Sequence, residues 1–217
     1  MRRSKEDAEQ TRQAILDAAE EMFCNLGVAA STLAKISSRA GVTRGAFYWH
    51  FKDKADLLQA LHERSFLAHE VLIRAAARDG HEDPLGLLES AAIEMLSAFE
   101  KDLRQQRMVM IMNAHGPAEE GTAWLQAVNA DLFRTLSALF VQAHAKGQLT
   151  PDFLPDEAAS ILLATMNGLL TEWLRSDKSF QLAQLGTRLV KRQMTMFRQT
   201  AEPDLETLTS YPGQVSR

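Results

Sequence analysis

Apolar residues recur along this chain at spacings of three and four, the period of an α-helix, and nowhere with the strict alternation of a strand. Ile15, Ala18, Ala19, Met22, Phe23 and Leu26 form one such stripe, which predicts a first helix over residues 6–25 that Gly27 stops. Leu33, Ile36 and Ala40 predict a short second helix, 33–40, capped by Ser31 or Thr32 and closed by Gly41. Thr43 caps a third, 44–51, which must end there because Asp53 caps the next. That fourth helix, 53–77, has Asp56 as a capping-box analogue and carries Leu57, Leu58, Leu61, Phe66, His69 and Ile73 on one rod.

Residues 79–83 read as a loop, and Pro84 at N1 opens a helix bearing Leu88, Ala91, Ala92, Met95 and Phe99. A break near 101–102 leads to a segment with Met108, Met110, Ile111 and Met112, which Gly116-Pro117 ends. Helices follow over 118–146, 155–175 and 181–199, and residues 201–217 read as a flexible tail. The fold class is therefore all-α, with about nine helices. The 155–175 helix is apolar on more than one face and so is buried on several sides. If it and the last helix stayed in a monomer, a large apolar patch would face water, so self-association is expected. Leu162, Leu169, Leu189 and Phe197 are the candidates for contact across a twofold axis.

Residues 41–52 define the chemistry. Two short helices joined by a Gly-containing turn are a helix-turn-helix, the second being the recognition helix. Eight residues at ~1.5 Å each make a rod of about 12 Å, close to the width of the DNA major groove. Between Ser31 and Lys54 the bases are Lys35, Arg39, Arg44, Lys52 and Lys54, against the single acid Asp53, although the whole chain carries -4. A local basic patch on an acidic protein suits phosphate. The candidate DNA contacts are Thr32, Thr43, Arg44, Gly45, Ala46, Tyr48, Trp49, His50, Lys52 and Lys54. Arg44 is expected to read a base, while Thr43, Tyr48, His50 and Lys54 position the head on phosphates. Phe47 and Trp49 are expected to pack the short helix, at least in part, on its head. Arg2, Arg3 and Lys5 form a basic terminus that is either frayed or a DNA-contacting arm.

The 217 residues are 46% hydrophobic and 24% charged, an ordinary globular balance. No apolar run approaches the ~18 residues a membrane span needs, and no apolar segment follows the basic terminus, so a cytoplasmic protein is expected. The single cysteine, Cys24, excludes an intramolecular disulfide and a thiolate metal cage; it suits core packing or, less simply, redox sensing.

Enzyme signatures are missing. His62-Glu63-Arg64-Ser65-Phe66 begins like a zinc-protease motif but has Phe66 where the second His belongs. There is no nucleophile elbow, Walker loop or dinucleotide fingerprint. His62 and His69 are read as polar groups in a cavity or as satisfied histidines, not as a metal site. Nine methionines are present, and Met95, Met108, Met110, Met112 and Met166 lie behind the head. Methionine is common at promiscuous apolar binding surfaces. A ligand cavity is expected from His62, Phe66, His69, Met95, Phe99, Met112, Asn113, Met166, Asn167 and Leu170, mostly apolar with a few polar groups.

The run Thr32-Leu33-x-x-Ile36, then Ala40-Gly41-Val42-Thr43-Arg44-Gly45-Ala46-x-Tyr48-Trp49-His50-Phe51-Lys52-x-Lys54, resembles the DNA-binding domain of the tetracycline-repressor (TetR) family. Lys5-Glu6 with Thr11-Arg12, and Asp83-Pro84-Leu85-Gly86, are similar to the branch that represses multidrug efflux pumps. The resemblance implies a head over 1–54, a connecting helix 53–77, and a ligand-binding and dimerisation domain over 55–200. It implies a homodimer on a palindromic double-stranded DNA operator, released by small apolar, aromatic or amphipathic compounds. Control of a catabolic operon and nonspecific architectural DNA binding stay open beside it.

Overall fold

The side chains that begin the helices do what their types demand. In the computed structural model Thr32 accepts from the Lys35 amide at 3.3 Å, Thr43 from Ala46 at 3.1 Å, Asp53 from Asp56 at 2.8 Å and Asp83 from Gly86 at 2.9 Å. Each satisfies a first-turn N–H that a helix leaves without a partner. Asp56 reaches back to the Lys52 amide at 3.0 Å, closing the expected reciprocal cap one residue earlier than the standard box. The structure describes residues 5–114 and 122–199, apart from the side chains of 67–69 and 122. The basic residues Arg2 and Arg3, the Gly116-Pro117 break, the His69 side chain and the 201–217 tail lie outside the described residues.

Nine helices are present among the described residues: α1 Lys5–Leu26, α2 Leu33–Arg39, α3 Arg44–His50, α4 Lys54–Asp79, α5 Pro84–Phe99, α6 Leu103–Asn113, α7 Thr122–Ala145, α8 Pro155–Arg175 and α9 Leu182–Phe197. Their only strand-like pairing is an isolated bridge between Leu149 and Arg198. Gly41, at a φ of 69°, makes the α2–α3 turn that a side chain would strain.

The helices enclose two cores. One holds Ile15, Ala19 and Phe23 of α1, Ile36 of α2, Phe47 of α3 and Leu57, Leu58 and Leu61 of α4. Met108 and Ile111 of α6 and Trp124 of α7 also belong to it, so α6 is a floor for the head. The larger core joins α5, α7, α8, α9 and the far end of α4. Helix α4, with 26 residues, is about 39 Å long at ~1.5 Å per residue and contributes to both. Among the described residues no helix is long and apolar enough to cross a membrane.

Candidate nucleic-acid interface and a cavity behind the head

Phe47 anchors α3. Its ring is fully buried, worth roughly 1.5–3 kcal/mol over exposure, and it meets Tyr48 edge-on at 5.7 Å and Phe51 at 6.0 Å. With Phe47 turned inward, Arg44, Gly45, Tyr48 and Trp49 face outward. Trp49 corrects the expectation of a packing role: it is 73% exposed, its indole edge-on to His50 at 4.6 Å. A Cβ added at Gly45 would meet nothing within 4 Å. Gly45 lies in the first turn of α3, and none of the described residues comes close enough to require a glycine there. The gap suits close approach by an external backbone.

The basic patch is thinner than the residue count implies. The guanidinium of Arg39 grips Glu21 at 2.6 Å, and that hydrogen bond holds the Glu21 carboxyl below its usual range. The ammonium of Lys54, expected on phosphate, instead donates to the carbonyls of Val28 at 3.1 Å and Ala29 at 3.3 Å, tying the loop after α1 to the start of α4. Arg44 and Lys52 are exposed. Thr32 and Thr43 use their oxygens as caps, which leaves each hydroxyl hydrogen as a donor.

Behind the head, α4 to α8 surround a cavity of about 160 Å³. His62, Phe66, Met95, Met112, Met166, Asn167 and Leu170, all among the sequence candidates, line it. Two other expected residues do not. Phe99 is fully buried, edge-on to Trp173 at 5.9 Å, and fills core. Asn113 is exposed and donates to the Thr171 hydroxyl at 2.9 Å, joining α6 to α8. Glu70, Asn129, Ala91, Ala92 and Leu132, which the sequence pattern does not single out for a cavity, also line it. Glu70 was findable: it sits on the His62–Phe66 face of α4, an acid in an apolar stripe. Burial pushes the pKa of His62 down, with Glu70 opposing and Arg74 assisting, so its imidazole is neutral near pH 7. Among the described residues, no three His, Cys, Asp or Glu are placed to hold a metal ion.

The four residues expected at a twofold axis divide. Leu162 lines the cavity, and Phe197 is fully buried, with Phe140 at 5.3 Å and Phe153 at 5.4 Å. Neither has side-chain surface left for a partner. Periodicity marks a residue as buried without saying against what. Leu169 is partly buried on the larger core, while Leu189 is 41% exposed, with Leu185 and Met196 also exposed on α9.

One charged network ties α1, α4 and α6 together. Glu20 of α1 is buried and receives Arg64 of α4 together with Arg107 of α6 at 3.0 Å. Arg64 also bonds Asp17 at 2.7 Å.

Residues 15–61 match the family model of bacterial regulatory proteins, tetR family. Residues 83–199 match that of the MAATS-type transcriptional repressor, C-terminal region. The chain is 38% identical over 205 residues to the HTH-type transcriptional repressor BepR of Brucella suis biovar 1 (strain 1330), covering 93% of this chain and 98% of that one. Its structure is similar to the SmeT–triclosan complex, with a TM-score of 0.76 and 29% identity over 95% of this chain and 99% of that one. It is also similar to NalD, the secondary repressor of the MexAB-OprM multidrug efflux pump in Pseudomonas aeruginosa, with a TM-score of 0.75 and 30% identity over 89% and 98% of the two chains.

Proposed function

Because this chain belongs to the TetR family of bacterial regulatory proteins, we propose that it represses a multidrug efflux operon, binding a palindromic operator as a homodimer and leaving it when an apolar or aromatic compound fills the cavity. The observation that carries this reading is α4. Leu57, Leu58 and Leu61 sit in the head core, and His62, Phe66, Glu70 and Ile73, on the turns that follow, line the cavity. A compound wedged between Phe66 and Met166 tilts the same rod that carries the recognition helix. The likeness to NalD, described as an efflux-pump repressor, supports the choice of operon.

The dimer face is assigned to the outer sides of α8 and α9. Gly168 is exposed in mid-α8, and a Cβ there would meet none of the described residues within 4 Å. It leaves room for a partner helix to approach, and α9 leaves Leu185, Leu189 and Met196 exposed. Two heads on a twofold axis then meet successive major grooves, roughly 34–36 Å apart.

Footprinting on DNA flanking the gene, with sedimentation of the protein, tests the reading. Protection of one inverted repeat beside pump genes is expected, persisting under salt challenge. A Gly168→Leu variant should stay folded, sediment as a monomer and lose the footprint, since both half-sites must be engaged together. Sequence-independent binding would sink the repressor reading, and a Gly168→Leu dimer would put the interface elsewhere.

A further inference from the structure

We propose that the cavity selects aromatic compounds bearing a hydroxyl group, which His62 and Glu70 hold between them. The proposal rests on the cavity being the effector site. His62 and Glu70 both line it, with Nε2 of one and Oε1 of the other 3.8 Å apart. That is too long for a hydrogen bond, yet an oxygen set beside the gap lies within bonding reach of both.

Glu70 is held for this task. Its Oε2 accepts from Arg74 Nε at 3.0 Å and Nη2 at 2.6 Å, so Oε1 is the oxygen turned to His62. Arg74 also pairs with Asp131, which Arg134 holds at 3.1 Å. Two carboxylates and two guanidiniums thus cancel, and no net charge draws a cation into the cavity. Phe66 at 5.2 Å and Trp124 at 5.9 Å fix the plane of the His62 ring.

A neutral imidazole with its proton on Nε2 donates, and a carboxylate only accepts. A hydroxyl does both: it accepts from Nε2 and donates its hydrogen to Glu70 Oε1. A methyl group satisfies neither, a quaternary ammonium offers no N–H, and a carboxylate is repelled by Glu70. Size adds a second filter. Engineered apolar cavities of about 150 Å³ take benzene, so about 160 Å³ accepts roughly one ring, and a larger hydroxylated aromatic enters by pushing the helices apart.

Calorimetric titration of the full-length protein with a naphthol, the isosteric methylnaphthalene and a naphthyltrimethylammonium cation tests this. The naphthol is expected to bind about tenfold tighter than methylnaphthalene or more, as a hydrogen bond to a charged group implies. In Glu70→Leu and in His62→Phe the ratio should fall toward one while methylnaphthalene binding persists. Leu132→Trp, which fills the cavity, should abolish binding of both. Equal affinities for naphthol and methylnaphthalene in the parent protein would overturn the clamp and leave the effector cavity standing. So would tighter binding of the cation. Binding of none of the three would overturn the cavity reading and the clamp with it. The parent comparison needs no variant to fold.

Discussion

Arg44 and Lys54 carry the same charge on the same head, and their surroundings give them different work. Arg44 is exposed at the first turn of α3, where base contacts concentrate. Arg44→Ala is expected to cost about 1–3 kcal/mol of operator binding and relax preference at one base pair per half-site. Lys54 holds two backbone carbonyls, so Lys54→Ala should cost about 1 kcal/mol of stability and lower Tm. An unchanged melt with a salt slope reduced by about one per half-site would instead make Lys54 a phosphate contact. His62 gives a pH signature. Burial holds its folded pKa below the unfolded value near 6.5, so as pH falls the unfolded chain takes up the proton first. Its contribution to stability is full above that value and is lost as pH drops from about 6.5 through the folded pKa. His62→Phe should flatten the decline of Tm over that window; an unchanged slope would mean that His62 is not buried neutral.

At the scale of helices, much was legible and some was not, for a definite reason. Caps are local chemistry, so Thr43, Asp53 with Asp56, and Asp83 before Pro84 placed the starts of α3, α4 and α5 within a residue. What a helix packs against is not local. Met108 and Ile111 repeat like any core residues, and nothing in their spacing says that α6 lies under α1. Phe66 and Phe99 look alike in sequence, yet one lines the cavity and the other packs on Trp173. The Glu20–Arg64–Arg107 network was hidden the same way, since its members come from three helices. Because Met112 and Val109 of α6 line the cavity, the network lets a substitution test whether α6, beside α4, carries coupling from cavity to head. Arg107→Ala removes only the half-exposed partner. It should leave operator affinity within a few-fold while reducing the effector's weakening of it by about 0.5–2 kcal/mol. Anisotropy titrations with and without effector read this, and an undiminished effector response would leave α4 as the sole route.

For the whole molecule, one long helix, α4, serves both cores and lines the cavity. Dimerisation was expected from too much apolar surface on the last two helices. The structure assigns much of that surface to the protomer's own core, and what remains is the outer stripe of α8 and α9. A compound moves such a repressor off DNA only by its differential affinity for the DNA-bound and free forms, typically ~1–3 kcal/mol or about 5–150-fold. Linkage makes the effect reciprocal. Titrating a cavity ligand calorimetrically into free protein and into the operator complex is therefore the most direct measurement. The expected result is weaker ligand binding to the complex, by the same factor by which the ligand weakens operator affinity. Equal ligand affinities in the two titrations, with the cavity shown to be filled, would contradict the coupling on which the account stands.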